Sequence, residues 1–516
     1  MLCQRLDDFL DYHARVHGAI PFVIQDETAL TFGESRDRVN IIASRMAAEG
    51  LKKGDRIGLL GKNSIDFFFL YIACARLGVV PVGINYRLTP EEAAYIARDA
   101  TAKLLFCDND LIAAVDALCP ELSSVCLFGE HDDYPRFDQW LEASVQSNER
   151  TEVSADDVMS QMYTSGTTGL PKGVLLSHSN IISNVYQTAM ASEFTFMAGD
   201  EFLLVAPMYH AAGIMIAYTG LMQGLTLVIH REYDSTRVVK TLAERPIAAV
   251  TLVPVMLQMI IDTVPGLDRM SFPELRLIYY GASPISVPLL RQAIKIFQCD
   301  FTQGYGQTET NSIVAMLSAS DHRRALQDKP ELLNACGRAA FNTKIKVVSP
   351  NGRGLPPGEA GEVLAQGPQI MQGYWNDAAA TAATIRDGWL HTGDVGRLDK
   401  EGYLTIVGRL KDLIISGGEN IYPVEIENVL TTHPVICDAA VVGVSHSKWG
   451  EVPLAILVCA ENEQVEAAEL NAFCREQLAG FKVPAYFHFI SDIPRNPSGK
   501  ILKQQLREKI GKDYEQ

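Results

Sequence analysis

The chain has 516 residues, of which 47% are apolar and 21% are charged, and its formal net charge at pH 7 is −17. A chain of this length exceeds one ordinary domain of about 100–200 residues and is typical of a multidomain globular enzyme. The acidic charge balance argues against a general nucleic-acid binder or a binder of anionic membranes, so we expect no nucleic-acid partner.

The N-terminus predicts no secretory leader, because MLCQRLDDFLDYHARVHG lacks an apolar core and a small-residue cleavage site. The most apolar helix candidate, SIDFFFLYIACARLGVV, is interrupted by Asp66 and Arg76. It is shorter than the roughly 20 apolar residues of a membrane span, so it predicts a buried helix. The ten cysteines include no CxxC pair. Scattered cysteines predict reduced thiols, and we expect a cytoplasmic protein with no transmembrane segment and no structural metal site.

In chain order, the first 330 or so residues alternate short apolar runs with helical patterns. The predicted strands are Arg56–Leu60, Lys103–Cys107, Val158–Tyr163, Phe202–Val205, Leu225–Ile229, Ala248–Val253 and Leu275–Tyr280. The predicted helices include one capped by Ser64 that ends before Gly78, then Pro90–Ala100 and Val287–Phe297. Continuous apolar strands that alternate with helices indicate an α/β fold whose sheets are covered on both faces.

Glycine and proline then punctuate short strands, as in SPNGRGLPPGEAGEVLAQG, so residues 335–408 are predicted to form a small turn-rich β subdomain. An α+β pattern returns after residue 408. We therefore predict an N-terminal domain over residues 1–408, which includes the β subdomain, and a C-terminal domain over 409–516.

The stretch YTSGTTGLPKG, residues 163–173, is predicted to be a loop between a strand and a helix capped by Ser177 or Ser179. Its glycines Gly166 and Gly169 permit close backbone approach to a ligand. Its hydroxyl donors and its cation suit phosphate oxygens; they are Thr164, Ser165, Thr167, Thr168 and Lys172. It lacks P-loop spacing, because Pro171 occupies the second glycine position. A purely structural glycine loop is the alternative.

Further motifs fit nucleotide chemistry. In GYGQTET, residues 304–310, the ring of Tyr305 between Gly304 and Gly306 could stack on adenine or pack in the core, while Thr308 offers a hydroxyl. Glu309 could bind Mg²⁺ that is held by a triphosphate, since Mg²⁺ takes few protein carboxylates; a solvated surface charge is the alternative. Asp394, predicted at a turn, could accept hydrogen bonds from a ribose diol or cap that turn.

Five motifs in the same order resemble the adenylate-forming superfamily of acyl-CoA synthetases, firefly-type luciferases and peptide-synthetase adenylation domains. They are YTSGTTGLPKG, GYGQTET, HTGDVGRLDKEGYL (391–404), GRLKDLIISGGENIYPVEIE (408–427) and NPSGKIL (496–502). The resemblance extends from about residue 10 to residue 510 and is closest to bacterial fatty-acyl-CoA or aryl-CoA ligases. It implies an N-terminal domain with two covered sheets and a small β-barrel-like unit, followed by a mobile α+β C-terminal domain.

The resemblance also implies roles for individual residues. Lys500 would bridge the attacking carboxylate and the α-phosphate, Thr164 and Glu309 would act on the triphosphate and its Mg²⁺, and His210 would gate the carboxylate pocket. The implied ATP and AMP contacts are Thr164, Ser165, Gly166, Thr167, Thr168, Gly169, Lys172, Gly281, Ala282, Ser283, Gly304, Tyr305, Gly306, Thr308, Asp394 and Arg409. The implied hinge residue is Lys411.

The implied contacts with coenzyme A are Arg87, Gly417, Gly418, Glu419, Trp449 and Lys482. Two glycines in one turn leave room for a thin phosphopantetheine arm. For Trp449, a packed surface indole is the alternative.

We therefore expect an ATP-dependent acid–thiol ligase that uses Mg²⁺ and coenzyme A, with a medium- or long-chain fatty acid as the leading substrate and an aryl acid as the alternative. Rival functions are a luciferase-like enzyme that stops at acyl-AMP, a phosphotransferase that releases ADP, and a non-catalytic nucleotide-binding module. The expected partners are small molecules, and a homodimer is an oligomeric state that the sequence leaves open.

Overall fold

A computed structural model describes residues 3–119, 122–142, 151–164, 170–460, 463–495 and 501–514. Elements are numbered in chain order. In the part of the chain that the structure describes, no helix combines the length and the apolar character that a membrane crossing needs.

The largest sheet has nine strands in the order β15-β14-β13-β12-β11-β9-β10-β1-β2. Their bounds are β1 Pro21–Gln25, β2 Thr28–Thr31, β9 Glu201–Leu204, β10 Thr226–Ile229, β11 Ile247–Thr251, β12 Leu277–Gly281, β13 Asp300–Tyr305, β14 Ala315–Leu317 and β15 Arg338–Ala339. The six strands from β13 to β1 along this order run parallel, and antiparallel strands close both ends.

A second sheet has seven strands in the order β18-β8-β7-β4-β3-β5-β6. Their bounds are β3 Arg56–Leu60, β4 Val80–Ile84, β5 Ala102–Asp108, β6 Ser123–Phe128, β7 Val158–Thr164, β8 Lys172–Ser177 and β18 Gly373–Tyr374. Strands β3 to β7 run parallel, whereas β8 and β18 are antiparallel additions at one edge.

Helices connect these strands and cover the sheets. They are α1 Leu6–Val16, α2 Phe32–Ala48, α3 Ile65–Leu77, α4 Pro90–Asp99, α5 Asn109–Asp116, α6 Phe137–Glu142, α7 His178–Ala191, α8 Ala211–Gln223, α9 Ser235–Glu244, α10 Pro254–Thr263, α11 Val287–Phe297, α12 Ala319–Gln327 and α13 Ala378–Thr384. The α3 helix shows how the sequence sets its bounds. The Ser64 hydroxyl caps its first turn by accepting from the Phe67 amide at 3.0 Å, and the chain leaves the helix at Gly78. Its apolar side chains pack with those of α8 in the main core.

Two smaller sheets follow in the chain. One has the order β16-β17-β20-β19, with β21 beside β20, and is built from β16 Lys344–Val348, β17 Gly361–Gln366, β19 Ile385–Arg386, β20 Trp389–Leu398 and β21 Leu404–Arg409. The other has the order β23-β22-β25-β24, with β26 beside β25, and is built from β22 Ile414–Ser416, β23 Glu419–Ile421, β24 Ile436–His446, β25 Gly450–Cys459 and β26 Tyr486–Phe489. Helices α14 Pro423–Leu430, α15 Ala467–Gln477 and α16 Lys503–Lys509 accompany this last sheet. The predicted fold class, α/β with a smaller α+β C-terminal domain, is confirmed.

Two local predictions are wrong. The loop after β7 does not lead directly to a helix, because β8 intervenes and forms an antiparallel hairpin with β7 before Ser177 caps α7. Asp394 lies within β20 rather than at a turn. The turn signal came from a β-bulge: residues 391–395 of β20 pair with only residues 362–364 of β17.

Candidate active site

The predicted site residues collect where parallel strands of the two large sheets end. Thr164 ends β7, Gly281 ends β12 and Tyr305 ends β13, while Arg87 follows β4 and His210 follows β9. Ligand crevices of α/β sheets form beyond the carboxyl ends of such strands. The topology therefore brings together residues that are far apart in the chain, such as Thr164 and Glu309, which are separated by 145 positions.

The hairpin of β7 and β8 brackets the predicted phosphate loop. Thr164 and Lys172 are paired at the end of the hairpin where this loop joins the two strands. Ser165, Gly166, Thr167, Thr168 and Gly169 lie outside the described residues, as does Lys500. The described parts of the loop therefore present one hydroxyl and one ammonium group side by side.

Glu309 faces this hairpin from a short 3₁₀ helix, Thr308–Thr310. Its residue is only 9% exposed. Its Oε1 atom accepts a hydrogen bond from the Tyr374 hydroxyl at 2.9 Å and a longer one from the Thr164 hydroxyl at 3.5 Å. Burial and the Glu309 carboxylate raise the pKa of Tyr374, so the phenol remains a donor at neutral pH.

Lys172 also lies next to Tyr374. Its Nζ atom is 5.3 Å from the centre of the Tyr374 ring and 3.5 Å from Oδ2 of Asp377. An acidic and a basic group thus flank one tyrosine beside the loop. Sequence reasoning missed Tyr374 and Asp377, because the GYWND stretch that contains them reads as one more turn in a glycine-rich region.

The ends of β12 and β13 approach each other closely. Gly281 pairs with Gly304, and a Cβ atom on Gly281 would lie 2.3 Å from the Gly304 carbonyl oxygen. Ala282 has a φ of 66°, in the left-handed region, and leads into the loop that contains Ser283. Only glycine fits at position 281, because a side chain there would collide with the backbone of β13.

Tyr305, Asp394 and Arg409 form a chain of polar contacts. The Tyr305 hydroxyl donates to Oδ2 of Asp394 at 2.8 Å, and Nε of Arg409 lies 3.1 Å from Oδ1 of the same carboxylate. Asp394 is 5% exposed. Burial, followed by the Asp394 charge, raises the pKa of Tyr305. Arg409 was predicted to act with Asp394 at the ribose, whereas the bond from Tyr305 was not predicted.

His210 is the N-cap residue of α8. Burial, with a smaller effect of the Arg87 charge, lowers its pKa to about 4, so the imidazole is neutral at pH 7. Its Nε2 atom is buried and has no hydrogen-bond partner among the described residues. The Tyr209 ring contacts both His210 and Tyr86, with centroids 4.6 Å and 5.6 Å apart.

Some of the predicted coenzyme A residues lie together. Gly417 and Gly418, with φ values of 59° and 89°, form the two-residue turn of the β22–β23 hairpin that continues into Glu419. The Gly417 amide donates to the Trp449 carbonyl at 2.7 Å, and the Trp449 indole, 46% exposed, lies against the turn.

The other predicted residues contact different partners. The guanidinium of Arg87 is 5.4 Å from the centre of the Tyr86 ring in the N-terminal region. The ammonium of Lys482 donates to both oxygens of Glu425 at 2.7 and 2.8 Å. Lys411, the predicted hinge, lies in the 3₁₀ helix Leu410–Asp412 that follows β21.

The residues present fit a magnesium ion that arrives with a nucleotide. No group of three or more His, Cys, Asp or Glu side chains with metal-binding geometry occurs among the described residues. A single buried carboxylate beside a phosphate-type loop is compatible with Mg²⁺, which keeps waters and takes phosphate oxygens as further ligands. Glu309 is the residue that would hold it.

The two covered sheets, the hairpin with its hydroxyl-rich loop and the separate C-terminal sheet define an adenylate-forming enzyme. The chain belongs to the family of AMP-binding enzymes: residues 10–375 match the AMP-binding enzyme domain and residues 425–500 match the AMP-binding enzyme C-terminal domain.

Similar proteins cover almost the whole chain. The fatty acid–[acyl-carrier-protein] ligase ScoC of Streptomyces coeruleorubidus is 37% identical over 99% of this chain and 97% of its own length. A feruloyl-CoA synthase of an Amycolatopsis species is 36% identical over 94% of both. The o-succinylbenzoate CoA synthetase of Bacillus subtilis, solved with its acyl-adenylate intermediate, is 31% identical over 97% of both chains, with a TM-score of 0.85.

The predicted enzyme class is confirmed: the chain is an AMP-forming acyl-CoA synthetase whose co-substrates are ATP with Mg²⁺ and coenzyme A. The roles of its individual residues stay predictions.

Proposed function

We propose that this enzyme activates an apolar monocarboxylic acid in two steps, first as acyl-AMP with release of pyrophosphate and then as a thioester with release of AMP. The observation that carries the proposal is the grouping of Thr164, Lys172 and Glu309 at the loop end of the β7–β8 hairpin. A hydroxyl, an ammonium and a carboxylate there suit a triphosphate and its metal ion.

In the first step, Lys172 and the loop residues 164–169 would hold the phosphates, and Glu309 would hold Mg²⁺, which offsets phosphate charge. The adenine would lie against Tyr305 and the backbone at Gly281, Ala282 and Ser283, near Gly304, Gly306 and Thr308. Asp394 and Arg409 would bind the ribose. Lys500 would stabilise the charge that develops between the acid and the α-phosphate.

His210 would receive the substrate carboxylate at the N-terminus of α8. A neutral imidazole whose buried Nε2 atom has no partner among the described residues can form a new hydrogen bond without first breaking one of those. The thirteen-residue helix directs the positive end of its dipole to the same place. These two features favour an anion at this gate.

The second step needs different residues. We propose that the C-terminal domain, residues 409–516, turns about Lys411 so that the Gly417–Gly418 turn and Trp449 replace Lys500 beside the acyl-AMP. Glu419, Arg87 and Lys482 would then contact coenzyme A, with Lys482 leaving Glu425. Two glycines with positive φ give a narrow surface for the pantetheine arm.

A fatty acid of medium or long chain is the leading substrate. The run AAGIMIAYTGLMQG, residues 211–224, contains no lysine or arginine that could pair with a second carboxylate. Burying such a charge unpaired would be costly, which disfavours dicarboxylates. The likeness to ScoC supports a fatty acid, and the likeness to feruloyl-CoA synthase supports an aryl acid.

The packing of two nearby segments bears on which residues line the acyl pocket. In the run SIVAMLS, residues 312–318, Ala315–Leu317 form the buried strand β14. The Tyr280 hydroxyl bonds to His322 at 2.8 Å within the core. The first turn of α8, where Ala211 and Ala212 are half-buried, therefore remains the better candidate lining.

A carrier-protein thiol is a second candidate acceptor, because ScoC is named for an acyl-carrier-protein substrate. Both acceptors present the same phosphopantetheine arm, so the Gly417–Gly418 turn would serve either. Thioester formation with coenzyme A and with a holo-acyl carrier protein should be compared at equal thiol concentration.

The acid is tested by measuring kcat/KM for octanoate, palmitate, benzoate, a cinnamate and malonate in one series. We expect octanoate or palmitate to give the highest value. The highest value for benzoate or the cinnamate would replace the fatty acid with an aryl acid, and the highest value for malonate would overturn the apolar pocket.

A further inference from the structure

Residues 371–377, MQGYWND, form a segment that contacts both charged groups of the proposed triphosphate site. Its strand β18 pairs with β8, so that Tyr374 lies opposite Val174, two residues after Lys172. Its Met371 amide donates to the Glu309 carbonyl at 2.9 Å. The segment is therefore anchored to the phosphate-loop hairpin and to the Glu309 turn at once.

The Tyr374 side chain is fixed from several directions. Its own amide donates to the Thr381 hydroxyl at 2.8 Å, which holds the backbone in place. Its hydroxyl donates to Oε1 of Glu309, and the Oε2 atom of that carboxylate receives no hydrogen bond from the described residues. The tyrosine thus turns one oxygen of Glu309 toward itself and leaves the other for a ligand.

Asp377 holds Lys172 in a corresponding way. Its Oδ1 atom accepts from the Ala380 amide at 2.8 Å and caps α13, while its Oδ2 atom lies 3.5 Å from the Lys172 ammonium. The Lys172 ammonium therefore lies near both the Asp377 carboxylate and the Tyr374 ring.

We propose that Tyr374 and Asp377 are positioning residues that keep Glu309 and Lys172 apart and oriented for Mg²⁺-bound triphosphate. Without these partners, the Lys172 ammonium and the Glu309 carboxylate, which both contact Tyr374, would attract each other, and their pairing would occupy both groups that the nucleotide needs. The separate partners prevent this pairing before ATP arrives. This inference rests on the proposed function, because it concerns the same site.

The first test replaces the hydroxyl of Tyr374 and measures nucleotide binding without any acid or thiol. ATP affinity is determined by calorimetry over a series of Mg²⁺ concentrations for the wild type and for Tyr374→Phe. Loss of a residue that orients a metal ligand typically costs about 10- to 100-fold in metal affinity. We expect the Mg²⁺ concentration for half-maximal enhancement of ATP binding to rise at least about 10-fold, with little change in the affinity for metal-free ATP.

Tyr403→Phe is the matched control, because the Tyr403 hydroxyl also donates to a buried carboxylate, Oδ1 of Asp321, at 2.5 Å. It removes the same type of bond outside the proposed site and should leave the Mg²⁺ dependence unchanged. An equal Mg²⁺ dependence in Tyr374→Phe and Tyr403→Phe would overturn the assignment, whatever their melting temperatures.

Asp377→Asn tests the second residue. Asparagine is also a good N-cap residue, so the melting temperature should stay close to that of the wild type. We expect slower acyl-AMP formation and unchanged thioester formation from supplied acyl-AMP, which no longer carries the β- and γ-phosphates. Equal loss in both half-reactions would contradict the role. Failure of the wild type to form acyl-AMP from any acid would instead overturn the proposed function and leave the Mg²⁺ result of Tyr374→Phe standing.

Discussion

Asp394→Asn tests the proposed ribose site with the smallest change in shape. Asp394 is almost fully buried, and its two oxygens already serve Tyr305 and Arg409. The asparagine amide keeps one acceptor oxygen, replaces the other with a donor and removes the negative charge. Two ribose hydroxyls would therefore meet a neutral and partly mismatched group.

The expected loss follows from the two hydrogen bonds. A bond to a charged group contributes about 1.5–3 kcal/mol and a neutral bond about 0.5–1.5 kcal/mol. Weakening two bonds by about 1–1.5 kcal/mol each gives about 2–3 kcal/mol, and each 1.4 kcal/mol is tenfold. We expect the KM for ATP to rise roughly 30- to 150-fold on this conversion.

The assay is acid-dependent exchange of pyrophosphate into ATP, with Asp399→Asn as the control. Asp399 follows β20 and accepts from the backbone amides of Glu401 and Tyr403 in a turn, so its loss should not affect ATP. Because AMP keeps its ribose in the second step, Asp394→Asn should also weaken the use of supplied acyl-AMP. A KM for ATP within twofold of the control would refute the ribose assignment.

Three further predictions concern the two steps and acid stability. Lys500→Ala should slow acyl-AMP formation by about 10²–10³ or more and spare thioester formation from supplied acyl-AMP. Equal loss in both reactions would contradict the proposal that Lys500 acts in the first step only. Lys411→Pro should impair the second step far more than the first, because proline fixes φ near about −65°, and normal thioester formation in single-turnover assays would refute the hinge. Burial lowers the pKa of four histidines to about 4: His178, His210, His230 and His322. Because the unfolded chain binds protons at these histidines more readily, the stabilising contribution of the neutral histidines is complete above about pH 6.5 and is lost as the pH falls toward 4. The urea midpoint should therefore drop between pH 7 and pH 5. An unchanged midpoint would contradict the buried neutral state of these histidines.

Local signals predicted the covered α/β part of the fold well. Ser64 and Gly78 bound α3 as expected, and the strand at Arg56–Leu60 and the helix at Val287–Phe297 have the predicted limits. These elements carry their own caps and apolar runs, so the sequence around them is sufficient. The motifs likewise predicted that Thr164 and Glu309 act at one site, and their side chains lie 3.5 Å apart.

The features that were not predicted from the sequence depend on contacts with residues that are distant in the chain. Strand β8 was overlooked because its second partner, β18, lies about 200 residues further on, in a stretch rich in turns. Tyr374 could not be connected with Glu309 for the same reason, since only the folded chain brings them within 2.9 Å. The ion pair of Lys482 with Glu425 was also not predicted, because a surface lysine carries no sequence signal for its partner.

Every residue role proposed above depends on the transfer of AMP from ATP to a carboxylic acid, and the nucleotide products of the reaction reveal this transfer. The enzyme is incubated with ATP labelled in the α-phosphate, Mg²⁺, coenzyme A and palmitate or octanoate, and the products are separated by chromatography. We expect one AMP and one pyrophosphate for each thioester formed, with no product when the acid is omitted. Labelled ADP as the main product would show that a phosphoryl group, and not AMP, is transferred.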